Sequence, residues 1–563
     1  MLTVCICAGL ALLMSALPFV FGTVYFMVAD DYLINYIANG SYGFTFSDRL
    51  TFLRMPAGAL LKLLYGQTTA VNWYLVLLLG VLVLSFAAIH LVVLRRTGSV
   101  PALLVSCAVN YLVVAHFLSF TVAAFLAALA GAGLLVHAAA EGKHVGRCAF
   151  LAAAFAFVSW CLRRNALYEA ALLMLPLAVL SVVRLMRRGT GEERSFAGAL
   201  KGLSPLALPL LVFCIAAGAS AIYEKKAYSS PEWTAFQAYD EARSLAVDYP
   251  AADYDEVKKE LKKIGVTRLD GNLLQSWRYA EKSFFTEELL RGYAAVNRAG
   301  ITMKNRMDAL KSALHVRMLP FLIAPLLIFL LLVITGRAKH LPVSLLTLLF
   351  GYGLLFAFAF IRMRFVMRVV LPTQLITCYA LVFAADAGER TNKVFFADLF
   401  AAVLLLLISM QYLGYYKDIN PVSRTYCEEE PAAALTREMA AHPDTLYVLD
   451  SSVLSHQFYF GTPASQVKTT DRFRNVVRSG SWDSYSPRYY EQMAPFLENP
   501  DDLLTAIVEE ENVVYVSGGG AEEILAFYKE RTGRTATSDG QAFPGSGVTI
   551  WRCREGQVKV DVS

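Results

Sequence analysis

Hydrophobic and polar positions in this chain separate into long blocks, with apolar runs divided by short polar connections. Runs of about 17 to 25 apolar residues are long enough to cross the hydrocarbon core of a bilayer as helices. On this basis the chain is predicted to be a polytopic α-helical membrane protein with about eleven transmembrane helices. The predicted spans are 3–28, 70–94, 100–117, 119–139, 146–162, 167–186, 203–222, 316–335, 341–361, 367–385 and 394–415.

Basic residues in the short connections indicate the orientation of these spans. They share one side of the membrane if the N-terminus is cytoplasmic, and they comprise Arg95, Arg96, Lys143, Arg147, Arg184, Arg187, Arg188, Arg194, Lys201, Arg337, Lys339, Arg390 and Lys393. The first run has no basic residue before it and no clear small-residue cleavage site, which favours a retained span over a signal peptide. The chain is therefore predicted to be a multi-pass protein of the cell membrane.

Three polar regions then fall on the extracytoplasmic side. The first external loop, 29–69, contains "SDRLTFLRMPAGALLKLLYG", which is typical of helices lying along the interface. The segment 223–314 has a mixed-charge sequence pattern that predicts solvated helices in a large external loop. The polar region 417–563 alternates helical and β-rich runs and predicts an extracytoplasmic α/β domain, which follows a transmembrane catalytic domain at 1–416.

Composition agrees with this class and narrows the chemistry. Of the 563 residues, 56% are hydrophobic and 17% are charged, which is typical of a membrane protein. The net charge of +5 comes with no basic block interleaved with aromatic residues, so no nucleic-acid partner is expected. Nine cysteines show no metal-binding spacing. Cys427 and Cys553 lie in the polar C-terminal part, and the sequence leaves open whether they form a disulfide.

An acidic pair follows the first apolar run, in "VADDY". Asp30 and Asp31 repel each other and lose hydration near the membrane, which should raise the pKa of one of them. Such a pair is either a solvated polar boundary of the first span or part of an active site.

Five arginines, and no lysine, occupy the outer ends of predicted spans in "CLRRNALYE" and "IRMRFVMR". Positive charge on this side opposes the usual insertion bias. The side chains either snorkel to the interface or bind phosphate, for which the planar guanidinium is suited. The predicted donor-phosphate ligands are Arg163, Arg164, Arg362, Arg364 and Arg368.

The acidic pair, the interfacial loop, the many spans and the C-terminal α/β region together resemble the GT-C class of membrane glycosyltransferases. The likeness is to the protein O-mannosyltransferase and lipid A aminoarabinose transferase branches, and it covers about residues 1–416. It implies a polyprenyl-phosphate sugar as donor, an extracytoplasmic acceptor that is a glycan, lipid or protein, and inversion in a single step. The membrane lipid is a further expected partner.

The resemblance also suggests roles for single residues. Asp30 occupies the position of the family's base, while Asp31 positions the acceptor or modulates the base. Tyr32, Asn165 and Glu169 are candidates for positioning the substrate. Because phosphate leaves as a stable anion, such an enzyme needs one base and several cations, whereas a glycosidase needs a second carboxylate. No cofactor is certain and no metal ligands are predicted, but a divalent metal at the acidic pair is left open.

Two other functions fit parts of the pattern. An O-antigen polymerase or ligase would also carry arginines in a large external loop, as Arg268, Arg278, Arg291 and Arg298 do here. A transporter or flippase of lipid-linked sugars would place charges in the middle of the membrane and show related halves. Neither feature is seen in the sequence.

Overall fold

The computed structural model describes residues 2–21, 24–42, 45–190, 196–314, 319–334, 336, 340–385, 430–454, 473–543 and 548–556. Among them, seven helices are long and apolar enough to cross a membrane. They are Leu2–Phe21, Trp73–Thr97, Phe120–Glu141, Val145–Arg187, Leu200–Ala227, Leu341–Ile361 and Met367–Ala384. Two apolar helices are shorter, Val100–His116 and Leu322–Ile334. The chain is thus consistent with a polytopic helical protein located in a membrane.

The helices of the apolar part fall into two groups along the chain. They are α1 (Leu2–Phe21), α2 (Ala29–Ala38), α3 (Met55–Gln67), α4 (Trp73–Thr97), α5 (Val100–His116), α6 (Phe120–Glu141), α7 (Val145–Thr190) and α8 (Phe196–Ala227), then α14 (Leu319–Ile334), α15 (Leu341–Phe356) and α16 (Met367–Ala384). The predicted span 394–415 lies outside the described residues, so the count of eleven stays a prediction.

One helix boundary differs from the sequence prediction, and one predicted break has a specific geometry, and both shape the site. The first helix ends at Phe21 and not near residue 28, and the acidic pair lies in the separate short helix α2. The predicted spans 146–162 and 167–186 correspond to the two halves of α7, which meet at a kink at Arg163, whose φ of −160° and ψ of 102° are extended. Such a break frees helix carbonyls, and the Cys161 carbonyl accepts a hydrogen bond from the Arg54 N–H at 2.8 Å.

Five shorter helices form the segment between α8 and α14. They are α9 (Pro231–Val247), α10 (Tyr254–Lys263), α11 (Arg268–Gln275), α12 (Glu287–Gly300) and α13 (Met303–Ala313). Most begin with a side-chain cap, as Ser230 does for α9 and Thr286 does for α12. This agrees with the helical texture that the sequence predicts for 223–314.

The C-terminal part contains a five-stranded sheet in the order β2-β1-β3-β5-β4. Its elements are α17 (Glu430–Ala441), β1 (Leu446–Leu449), α18 (Ser451–Leu454), β2 (Val476–Arg478), α19 (Pro487–Met493), α20 (Leu503–Glu509), β3 (Val513–Ser517), α21 (Glu522–Thr532), β4 (Ala536–Phe543) and β5 (Val548–Glu555). Strand β1 pairs in parallel with β2 and β3, whereas β5 pairs antiparallel with β3 and β4. Parallel strands buried on both faces give continuous apolar runs, as in "LYVL" of β1.

Alternate residues of the central strands belong to two different cores. In β1, Leu446 and Val448 pack with the core that contains helices α9 to α12. Tyr447 and Leu449 pack instead with the core of α2 and the apolar helices. Because successive side chains of a strand point to opposite faces, the sheet lies between the two. The sheet therefore reaches the acidic pair, which the sequence did not indicate.

Candidate functional site

The first turn of α2 places the two aspartates at a helix N-terminus, where negative charge is favoured. The Asp30 carboxylate forms an ion pair with Arg368 in the first turn of α16. Its Oδ1 also accepts a hydrogen bond from the Trp482 Nε1–H at 3.2 Å. Asp30 and Arg368 keep 17% and 15% of their side-chain surface exposed, so a ligand can reach both. A cation at a helix N-terminus is disfavoured by the helix dipole, and Asp30 offsets that cost for Arg368.

Asp31 points the other way and is completely buried. Its Oδ1 accepts hydrogen bonds from the Tyr74 hydroxyl at 2.6 Å and from the Phe120 N–H at 2.9 Å. Its Oδ2 is buried with no hydrogen-bond partner among the described residues. Burial raises the pKa of the Asp31 carboxyl from 3.8 to about 7, although the Tyr74 hydroxyl, the Phe120 N–H and the nearby Ser119 hydroxyl lower it. Asp31 therefore anchors α2 against α4 and α6, and its surroundings suit a protonated carboxyl near neutral pH.

Arg163 lies beside this pair at the break in α7. Its guanidinium packs over the rings of Phe120 and Phe52 at 5.4 and 5.9 Å, and Nη1 donates to the Thr121 hydroxyl at 3.3 Å. Its charge interacts with those of Asp30, Arg368, Glu169 and Arg364. Glu169 has a buried Oε2 with no hydrogen-bond partner among the described residues. The predicted residues Arg163, Arg368, Asp30 and Glu169 are thus brought together.

Arg362 and Arg364 have different contact partners, although the charge of Arg364 still interacts with that of Arg163. Arg362 donates to the Tyr249 hydroxyl at 3.1 Å, and Arg364 lies over the same ring at 5.6 Å. Met363 between them has a φ of +49°, an uncommon conformation for a non-glycine residue. This turn points Arg362 and Arg364 towards the residues after α9, while Arg368 faces Asp30. The five arginines therefore do not form one cluster.

Three other predicted residues, Arg164, Asn165 and Tyr32, are either exposed or packed in the core. Arg164 and Asn165 are exposed, and the structure shows no hydrogen bond from either to Asp30 or Arg368. Tyr32 is only 6% exposed, and its ring packs edge-on against Phe26 at a centroid distance of 5.0 Å. Its position is that of a core residue.

Trp482 is the residue that the sequence analysis missed. It lies in "SGSWDSYSPR", between β2 and α19, and its ring packs against Phe52 at 4.8 Å. Arg488 of the same segment donates to the Tyr42 carbonyl at 3.2 Å and packs over the Tyr42 ring at 4.8 Å. Trp482 and Asp30 are 452 positions apart, and no local pattern signals a contact over that distance.

A further cationic cavity of about 300 Å³ lies near α13 and the end of α15. Arg298, Arg306 and Arg362 line it together with Tyr249. Arg306 donates to the carbonyls of Phe360 and Ile361 at 3.1 and 3.0 Å, at the end of an apolar helix. One of the predicted phosphate ligands, Arg362, therefore belongs to this second group.

The acidic pair does not have the form of a metal site. Asp30 faces a guanidinium and an indole, whereas Asp31 faces a hydroxyl and a backbone N–H. The two carboxylates thus have different partners and do not converge on one point. In the part of the chain that the structure describes, no three metal-ligating side chains come together. No step is therefore assigned to a metal ion.

Cys553 is buried in β5 and is bonded to no described cysteine. Cys427 lies outside the described residues, so the disulfide stays a prediction.

No protein-family model, curated protein or solved structure matches the chain.

Proposed function

We propose that this chain is a membrane glycosyltransferase of the GT-C type. It transfers a sugar, with inversion, from a polyprenyl-phosphate donor to an acceptor on the extracytoplasmic side of the membrane. In this orientation the N-terminus is cytoplasmic, and α9–α13 and the C-terminal α/β domain are extracytoplasmic. The observation that carries the proposal is the partly exposed Asp30, which contacts Arg368 and Trp482 and interacts electrostatically with Arg163 at one end of the apolar helices.

The ion pair between Asp30 and Arg368 explains how a general base and a phosphate-binding residue can lie next to each other. The donor phosphate competes with Asp30 for Arg368 and takes over part of its guanidinium. Asp30 Oδ2 is then released, while Oδ1 stays held by Trp482. The carboxylate becomes a base at the moment that the donor is bound.

Asp30 and the residues around it can accept the proton and stabilise the leaving group of this reaction. The acceptor hydroxyl attacks the anomeric carbon and gives its proton to Asp30. The bond between the anomeric carbon and the phosphate oxygen breaks, and polyprenyl phosphate leaves with the bonding electron pair. Arg368 and Arg163 stabilise the negative charge that grows on the leaving phosphate. One displacement inverts the anomeric configuration.

The rival interpretation as a polymerase or ligase loses support at the arginines on which it depends. Arg268, Arg278 and Arg291 each form an ion pair with a different carboxylate, so no shared acidic partner among the described residues links them as one group. Their partners are Asp255, Asp450 and Glu241. Arg298 lines the cationic cavity near α13 instead.

Replacement of Asp30 tests the proposal directly. Asp30→Asn should lower transfer from a panel of polyprenyl-phosphate hexoses and pentoses by about 10²- to 10⁴-fold, because it removes the general base. Binding of undecaprenyl phosphate should be as tight as in wild type or tighter, since Arg368 loses its competing carboxylate.

Asp48→Asn is the matched control. Asp48 lies in the same predicted loop but pairs with Lys62 at 3.5 Å, so this variant should keep full activity. Undiminished transfer by Asp30→Asn would contradict the assignment of the base.

A further inference from the structure

A cleft of about 650 Å³ lies between α9, the start of α12 and the segment that follows Trp482. Its walls include Phe236, Tyr239, Tyr485 and Tyr490, with Lys282 and Glu232 among the polar residues at its edge. Ligand sites commonly have volumes of ~300–1,000 Å³ and combine aromatic walls with a few placed polar groups. This cleft has both properties.

Two hydroxyls in the walls have an unusual environment. Tyr239 and Tyr485 are 5% and 2% exposed, and both hydroxyls are buried without a hydrogen-bond partner among the described residues. A buried polar group without a partner is costly, so native proteins rarely keep one without a reason. A ligand that both donates and accepts hydrogen bonds would supply the missing partner to each once a local shift of the cleft wall exposes the hydroxyl.

The backbone at Tyr485 is strained as well. Its φ of +64° lies in the left-handed region, which a bulky aromatic residue rarely adopts. Its ring is held edge-on between Tyr239 and Tyr489 at centroid distances of 5.0 and 5.2 Å. Strain of this kind persists where the surrounding packing enforces it, and it concentrates at binding and catalytic sites.

The chemistry of the walls favours a polyhydroxylated ligand with apolar faces. Ring faces with negative potential suit the C–H groups of a pyranose, and unpaired hydroxyls suit its OH groups. Lys282 lies over the rings of Tyr485 and Tyr490 at 5.3 and 5.2 Å and already bonds to the Tyr490 hydroxyl and pairs with Asp501, which leaves one further N–H donor at the edge. A carboxylate, Glu232, adds an acceptor.

We infer that this cleft binds the acceptor as a glycan chain of at least a few sugars. The inference rests on the proposed function, because it identifies the acceptor of that reaction. Tyr485 and Trp482 are three positions apart, so one short segment both lines the cleft and contacts Asp30. The cleft is a binding surface and takes no part in the bond changes.

Binding of unlabelled oligosaccharides to the full chain, without any donor, tests this inference. The probes are mannotetraose, cellotetraose and chitotetraose, with an acetylated Gly-Ser-Thr-Gly peptide for comparison, and the readout is Kd from calorimetry in nanodiscs. At least one tetrasaccharide should bind, and Tyr485→Phe and Tyr239→Phe should each weaken it about fivefold to tenfold through loss of one hydrogen bond. Both variants should melt no lower than wild type, because each removes a hydroxyl that has no partner in the free protein.

Tyr528→Phe is the matched control, since the Tyr528 hydroxyl bonds to Glu509 at 3.1 Å outside the cleft. It should leave the saccharide Kd unchanged. The inference would be overturned if no tetrasaccharide bound, or if Tyr485→Phe bound the tetrasaccharide as tightly as wild type. It would also be overturned if the peptide bound and Tyr485→Phe weakened that binding. Asp30→Asn should bind the tetrasaccharide normally, so failure of the cleft and failure of the proposed catalysis give different results.

Discussion

At the scale of single residues, neighbouring aspartates acquire different properties because consecutive helical positions point in different directions. Asp30 meets two cationic or polar donors at a partly open surface, whereas Asp31 is sealed between α2, α4 and α6. The sequence predicts that the pair matters and that one pKa is raised. It could not show that burial, more than mutual repulsion, raises the pKa of Asp31. Only the packing of Tyr74 and Phe120 around that carboxyl reveals this.

Asp31 should make stability depend on pH. A carboxyl with a folded pKa of about 7 and an ordinary value of 3.8 binds more protons in the folded state than in the unfolded state. Stability therefore falls as pH rises from about 4 to about 7 and is level above that range. Asp31→Asn keeps an oxygen for both hydrogen bonds, so melting in detergent at several pH values should show a shallower slope.

Some slope should remain, because burial also raises the pKa of Glu281 to about 7. At pH 8 the Asp31→Asn variant should be no less stable than wild type. Its transfer rate should fall less than that of Asp30→Asn. A slope equal to that of wild type would refute the role of Asp31.

At the scale of elements, a break and a turn decide which arginines can act together. Helix α7 is broken at Arg163, which turns that side chain onto Phe52 and Phe120 beside Asp30. After α15 the left-handed Met363 separates Arg362 from Arg368. Apolar run length predicts where helices lie, and it did so here for most spans. It also separated the two halves of α7 near Arg163, but it contains no information on the direction of a side chain after a turn.

The division of the arginines makes a prediction for phosphate binding. Arg163→Ala should weaken undecaprenyl phosphate binding by about tenfold to a hundredfold, the usual effect of losing a hydrogen bond to a charged group. Arg163→Lys should recover only part of this, because lysine lacks the bidentate fork. Arg362→Ala, whose guanidinium instead meets Tyr249, is the control and should bind within about twofold of wild type.

Equal affinity in wild type, Arg163→Ala and Arg368→Ala would assign these arginines to interfacial snorkelling alone. If Arg362→Ala weakened undecaprenyl phosphate binding equally, Arg362 would instead belong to a single phosphate site with Arg163 and Arg368.

At the scale of the whole molecule, the loop after β2 of the C-terminal sheet contributes Trp482 to the site that contains Asp30 of α2. One face of the sheet shares a core with α2, and the other shares a core with α9 to α12. The loop after β2 passes close to the chain near Trp277, where a Cβ on Gly480 would lie 2.4 Å from the Trp277 carbonyl oxygen. This tight approach fixes the path of the segment that delivers Trp482. The sequence predicted an α/β region here, but only the three-dimensional arrangement links it to Asp30.

Trp482→Phe tests that link without disturbing the packing. Phenylalanine keeps an aromatic ring against Phe52 but cannot donate a hydrogen bond to Asp30, so the carboxylate loses the partner that fixes Oδ1. The transfer rate should fall by about tenfold, as expected for loss of one hydrogen bond to a charged group, while undecaprenyl phosphate binding stays unchanged. Trp551→Phe is the control, because the Trp551 Nε1–H donates to the Gly519 carbonyl at 3.2 Å, away from Asp30. If both variants transfer sugar at the wild-type rate, the sheet supports the site only by packing, and Asp30 acts without Trp482.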